Sequence, residues 1–202
     1  DAEELIDTTA LVQQATSLLN GNADFYNLPR KFKVSISGCP SWCTYPEIND
    51  VGSTVLRHPA TGEIGFSVRV AGGLSTEPHM ARRLDAFVRQ EQVLPVLQAV
   101  AELFRDSSML RENREKARLK FLFLQHGWTD AKFLSELASR LTFPLLPGVP
   151  ENAPDDAYRD HVGLHPQRQP GLLYAGVAVS GGRLRAAQMH AAADLAARYG
   201  SG

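Results

Sequence analysis

Lys31 and Lys33 stand two residues apart in the stretch Leu28-Pro29-Arg30-Lys31-Phe32-Lys33. On a strand they share a face, about 7 Å apart at roughly 3.3 Å of rise per residue. Two ammoniums that close repel each other unless water screens them or an anion lies between them. Their spacing therefore fits an anion site, and fits a plain solvated strand face as well. Ser35 and Ser37 extend the same face with small polar groups. Arg111, Arg114 and Arg118 fall at i, i+3 and i+7, one stripe of a helix, and Arg is suited to bidentate recognition of carboxylates. Glu112 and Lys116 are an i, i+4 pair, so a salt-bridged solvated face accounts for the same pattern. Cys39 and Cys43 lie on a loop of Gly, Pro, Ser and Trp. Two thiolates can contribute to an iron–sulfur cluster, which usually takes four, or can be two buried free thiols. Gly72-Gly73-Leu74-Ser75 could bring backbone close to a flat or anionic ligand, although it has neither dinucleotide-fold spacing nor the lysine of a phosphate loop. His161 and His165 surround Gly163 and precede Pro166, which argues against a shared helix and a zinc pair.

The elements that must position these residues are mixed helix and strand, an α+β pattern. Strict alternation from Lys31 to Ser37 puts Phe32, Val34 and Ile36 on one face and predicts a half-buried strand. Glu63 to Ala71 predicts a second, with Ile64, Phe66, Val68 and Val70 inward and Gly72-Gly73 at its end. Residues 38–62 read as irregular. Helices are expected over Leu5–Leu19, Glu77–Val88, Val93–Phe104 and Leu110–His126, with Thr129 capping another to Leu141. Four prolines between Phe143 and Pro154 predict a linker, giving lobes at 1–142 and 155–202. In the second lobe a strand, Leu172–Val179, and a helix, Arg185–Tyr199, are too little for an independent core. That lobe reads as unfinished, and a chain that begins at Asp1 reads as excised from something longer.

Composition narrows the function classes. The 202 residues carry 21 Lys+Arg against 22 Asp+Glu, so no global basic field exists to hold nucleic acid or anionic lipid. Apolar runs fall well short of the ~20 residues that span a bilayer. Two cysteines are too few for a disulfide scaffold. A cytoplasmic protein that binds neither nucleic acid nor membrane is the expectation.

Taken in order, several words resemble the siroheme-dependent nitrite/sulfite reductase family. They are Asn27-Leu28-Pro29-Arg30-Lys31-Phe32-Lys33, Pro46-Glu47-Ile48-Asn49-Asp50, the run from Gly65 to Ser75, the run from Asn113 to Lys120, and His165-Pro166-Gln167-Arg168-Gln169-Pro170-Gly171. The resemblance implies two pseudo-symmetric halves, each pairing a ferredoxin-like part with a siroheme-side α+β part. This chain would hold the first siroheme-side lobe and the start of the second ferredoxin-like half. It implies a parent enzyme that reduces sulfite to sulfide or nitrite to ammonia with six electrons. The cofactors would be siroheme and a [4Fe-4S] cluster, the donor ferredoxin or a flavoprotein, and the substrate a small anion.

For the residues, the resemblance matches Lys31 and Lys33 to the lysines that face the substrate anion. Arg30, one residue out of phase, is expected to point away, towards the cofactor periphery. Arg114, Arg118, Gln167 and Arg168 become candidate partners of the siroheme carboxylates, with Asn49, Gly72 and Gly73 alongside. Cys39 and Cys43 resemble one cluster pair but sit in the first half, where the family's cluster motif does not. Lys33, where ferredoxin nitrite reductases often carry Asn, leans the reading towards sulfite. Lys120, on the expected helix, should matter less than Lys33. The fragment itself is expected to be inactive; the competing reading is a structural module that binds no cofactor.

Overall fold

The computed structural model describes residues 3–151 and 161–200. These fall into two compact units, 3–151 and 161–200. The end of the Pro-rich stretch and the expected start of the second lobe at 155 lie outside the described residues.

The first unit is built on a four-stranded sheet in the order β1-β2-β3-β4: β1 (Val34–Ser37), β2 (Val51–Arg57), β3 (Ile64–Val70) and β4 (Arg82–Arg89). β1 runs parallel to β2, while β2–β3 and β3–β4 are antiparallel. Val51, Val55, Phe66, Val68, Val70, Leu84, Ala86 and Val88 meet α1 (Thr9–Leu19), α2 (Val93–Asp106) and α4 (Asp130–Ala138) in the main core. Between α2 and α4 lies the short α3 (Phe121–Leu124). Thr129 caps α4 as its sequence suggests, accepting from the Lys132 amide at 3.2 Å. Leu5 is not in α1; its amide donates to the Gly38 carbonyl at 2.8 Å.

Three expectations are corrected. β2 is hidden in the stretch 38–62, which reads as irregular, because Ser53 shares the core face with Val51 and Val55 while the other face carries Leu56, so apolar and polar residues do not separate with a period of two. Arg82–Arg89 is a strand rather than the end of a helix. Leu84, Ala86 and Val88 enter the main core, and Phe87 packs on the other face with Leu56 and Val149. The third is the Leu110–His126 helix. That segment is two 3-10 turns, 108–111 and 114–116, before α3. Asn113 accepts from the Glu115 amide at 3.0 Å, a local bond that competes with helix propagation. Leu110, Ala117, Leu119, Phe121 and Leu122 are all buried, more faces than one helix stripe supplies. The arginines at 111, 114 and 118 therefore form no stripe.

The sheet's second face is covered by chain that looked like connection. The 38–49 loop crosses it, with Pro46 so close that a Cβ on Gly52 would lie 2.5 Å from the Pro46 carbonyl oxygen. The Pro-rich segment lies on it too: Leu146 bridges to Phe87, Val149 is buried, and Glu151 pairs with Arg69 and Arg83.

The second unit holds β5 (Gly163–Pro166) and β6 (Leu173–Gly176), an antiparallel pair, and α5 (Ala186–Tyr199), none of whose residues is buried. Two strands with so little covered surface hold together weakly. Amides of 163–165 and 173–176 are expected to exchange much faster than those of 34–37 and 64–70. Equal protection in a hydrogen-exchange experiment would mean that another chain or segment completes this unit.

Candidate functional site

At the end of the sheet where β1 and β2 begin and β3 finishes, the chain leaves a cavity of about 360 Å³. Arg30, Lys31, Lys33, Arg118 and Lys120 line it, together with Glu115, Leu74, Ser75, Thr76 and Phe121. β1 starts only at Val34, so strand alternation does not govern Arg30 and Lys31. Arg30 consequently joins the two lysines at the cavity instead of pointing away from them. Past Lys33 the polar face closes: Ser35 accepts from Asn49 at 3.2 Å, and Ser37 donates to the Cys39 carbonyl at 2.8 Å.

Behind this wall sits Asp50, fully buried. Arg118 pairs with it through Nε at 3.2 Å and Nη2 at 2.8 Å, and the Lys33 amide donates to it at 2.8 Å. Burial pushes the Asp50 carboxyl up, against the pull of Arg118 and the Lys33 amide. Lys120 is buried as well. Its ammonium donates to the Glu77 carbonyl and, at 3.5 Å, to that of Gly73, the two ends of the loop that supplies Leu74, Ser75 and Thr76. Burial first, then the neighbouring Arg118 charge, lowers the Lys120 pKa. Lys120 therefore lines this site together with Lys33, the residue it is expected to matter less than.

The other candidates divide. Gly73 is at the cavity wall, where a Cβ would lie 3.3 Å from Arg118 Nη2. Gly72 answers to packing: its Cβ would lie 2.6 Å from the Glu47 carbonyl oxygen. Asn49 braces the 38–49 loop, donating to the Tyr45 carbonyl at 2.7 Å. Arg111 ties down the Asn27 and Arg105 carbonyls. Arg114 is exposed on its 3-10 turn. Gln167 and Arg168 belong to the second unit, where Gln167 closes the β5–β6 turn through the Leu172 and Leu173 carbonyls. Asp50, Lys120 and Glu115 were not singled out from sequence as site residues. Lys120 carried a signal, a lysine set between the apolar pairs Ala117/Leu119 and Phe121/Leu122.

Cys39 and Cys43 are free thiols on the far side of β1, folded together by left-handed backbone at Trp42 and Tyr45. The Cys39 thiol is pushed up by its hydrogen bond to Cys43 and by burial; Cys43 is pulled down to about 6 by the bond from Cys39, despite its burial, and its sulfur lies 3.8 Å from Ser37 Oγ. Two thiolates leave half of a four-iron cluster's ligands unsupplied, and the sequence has no third cysteine, so the pair does not fit such a cluster alone. Among the described residues no group of three or more His, Cys, Asp and Glu is placed to hold a metal ion. No helix among them is long and apolar enough to cross a membrane. A larger hollow of about 670 Å³ between α1 and α2, lined by Gln13, Gln14, Leu94 and Gln98 among others, has no titratable side chain to do acid–base work.

A net cationic cavity of this size can bind a small oxyanion or a carboxylate fringe, and can hold protons close to it. Comparison with known proteins gives this chemistry a context. Residues 1–145 match the family model described as the nitrite and sulphite reductase 4Fe-4S domain, and residues 165–202 match the nitrite/sulfite reductase ferredoxin-like half domain. The chain is 36% identical to an assimilatory ferredoxin-dependent nitrite reductase of Haloferax mediterranei, over 100% of this chain and 36% of that protein. It is 40% identical to a sulfite reductase [ferredoxin] of Mycobacterium tuberculosis, over 98% of this chain and 35% of that protein. The solved structure of the Mycobacterium tuberculosis NirA protein superposes with a TM-score of 0.89 at 39% identity, covering 100% of this chain and 36% of that one. The chain thus spans about a third of the length of these relatives.

Proposed function

Because the chain belongs to the nitrite and sulphite reductase family, we propose that it forms one wall of the anion site in a longer siroheme- and cluster-containing reductase. The observation that carries this is the convergence of Arg30, Lys31, Lys33 and Lys120 on one cavity. Siroheme, when bound, would supply an iron for the anion and a path for electrons. The residues here fit its carboxylate fringe or the anion itself, since the cavity is cationic and Gly73 keeps its wall open. Lys31 and Lys33 bind and orient the anion's oxygens, and their ammonium protons lie where an anion gaining electrons needs them. Lys120 holds the 73–77 loop against the cavity. Two adjacent ammoniums match a dianion, which favours sulfite over nitrite as the substrate. The similar proteins named for ferredoxin make ferredoxin the donor of choice. The first siroheme-side lobe would take in residues 1–142 and the second ferredoxin-like half would start near 155.

Steady-state reduction by the parent protein with reduced ferredoxin tests this reading. A higher kcat/KM for sulfite than for nitrite supports it, and reduction of neither anion overturns it. The 202-residue chain alone is expected to bind no [4Fe-4S] cluster, because two thiolates cannot fill four positions. Iron and acid-labile sulfide assays on anaerobically prepared protein check this; stoichiometric iron and sulfide in a monomer would contradict it.

A further inference from the structure

The geometry points to Asp50 as the positioning residue of the cavity, and to Arg118 as its counter-ion rather than a ligand for the anion that enters. This deepens the anion-site reading, and only the titration described below rests on that reading. Asp50 joins three walls. Its Oδ2 accepts from the Lys33 amide and from Arg118 Nη2, each at 2.8 Å, and its Oδ1 accepts from Arg118 Nε at 3.2 Å. Its backbone carbonyl accepts from the Ala71 amide at 2.8 Å. Ala71 has φ of 69°, a left-handed turn that leads directly into Gly72 and Gly73. The Lys33 peptide is thus pinned on both sides, by Asp50 at its amide and by the Val51 amide, 3.0 Å from its carbonyl. With the backbone fixed there, the Lys33 side chain leaves from a set point on the cavity wall, which it lines.

Arg118 is committed in the same way. One edge of its guanidinium is taken by Asp50, and its Nη2 lies against Gly73. Its side chain is 12% exposed and that of Asp50 0%. A buried ion pair roughly offsets its own desolvation, so stability alone is a weak reason for one here. What the pair supplies is registry. It locks 118 to 50, 50 to 33 and 50 to 71, and cancels the Arg118 charge, leaving Arg30, Lys31 and Lys33 to meet the anion.

Nuclear magnetic resonance on the full 202-residue chain tests this directly. In the wild type the Arg118 Nε–H is expected to exchange about tenfold or more slowly than that of exposed Arg30, because it is buried and bonded to a carboxylate. On titration with sulfite, the Lys31 and Lys33 signals should shift while the Arg118 Nε–H stays in place. In Asp50→Asn, the amide has one acceptor oxygen and turns its NH2 towards a donor. The Lys33 amide or the Arg118 Nε–H should then exchange about tenfold faster, with core methyl signals unchanged. An Arg118 Nε–H that exchanges as fast as Arg30's, or that shifts with sulfite, overturns the inference whether or not Asp50→Asn folds. If sulfite moves no lysine signal while Arg118 stays slow and responds to Asp50→Asn, the positioning role stands and the anion-site reading falls.

Discussion

Replacing Lys33 by Met in the parent enzyme is expected to lower kcat/KM for its anion by roughly 30- to 1000-fold, about 2–4 kcal/mol of transition-state stabilisation. Met keeps most of the apolar stem and removes the ammonium. The Lys33 amide, which donates to Asp50, is untouched by a side-chain change, so the wall itself should keep its shape. The expected loss is then the loss of one charge-assisted contact to the anion. Lys132 is the proper control: it lies on α4, over the Trp128 ring and away from the cavity lining, so Lys132→Met should leave turnover unchanged. Lys120→Met cannot serve as a control, because that ammonium holds both ends of the 73–77 loop. Siroheme content has to be measured in parallel, so that lost cofactor is not counted as lost catalysis. Full siroheme with wild-type turnover of both sulfite and nitrite in Lys33→Met would remove this face from the substrate.

The contrast between Lys33 and Lys120 shows what the sequence made legible. β1 and β3 announce themselves because apolar residues alternate with polar ones along each, and Lys31 and Lys33 lie just before β1. β2 is silent because its core face interrupts Val51 and Val55 with Ser53 and its other face carries Leu56, so no period of two separates apolar from polar residues. β4 was disguised by Arg, Leu and Ala, good helix formers whose period of two is clear only once Phe87 is known to face a second cluster. The 110–126 segment has helix-forming composition, yet tertiary demands override it. Arg118 must reach Asp50, 68 residues away in sequence, and Lys120 must reach carbonyls at 73 and 77. Such long-range pairing leaves no local periodicity. Asp50 stood within a family-like word, but nothing local said that its carboxylate would be buried.

Glu151 is the second residue that no local pattern exposes, and Glu151→Gln is expected to cost about 3 kcal/mol of stability. That is roughly 6–12 °C in Tm for a chain of this size. Arg69 lies beneath it, with its guanidinium 4.0 Å from the Trp42 ring centre and its side chain 9% exposed. Glu151 accepts from Arg69 at 2.7 and 3.0 Å, from Ser67 at 2.8 Å and from Trp42 Nε1 at 3.1 Å, with Arg83 at 3.2 Å. Removing its charge leaves a buried guanidinium uncompensated and loosens the tie between the 38–49 loop and the Pro-rich segment. The exposed pair Arg89–Glu63, 2.8 Å apart with side chains 40% and 37% exposed, is the comparison: Glu63→Gln should cost less than about 1 kcal/mol. Acid supplies an independent check. Burial would push the Glu151 carboxyl up, but Arg69, Ser67 and Arg83 outweigh it and hold the folded value below the ordinary 4.5. Its contribution is therefore complete above pH 4.5 and is lost as pH falls from there through the depressed folded value. Wild type and Glu151→Gln should differ most near neutrality and converge on acidification. A gap in Tm that is constant or widens below pH 4.5 would show that the stabilisation does not come from the Glu151 charge.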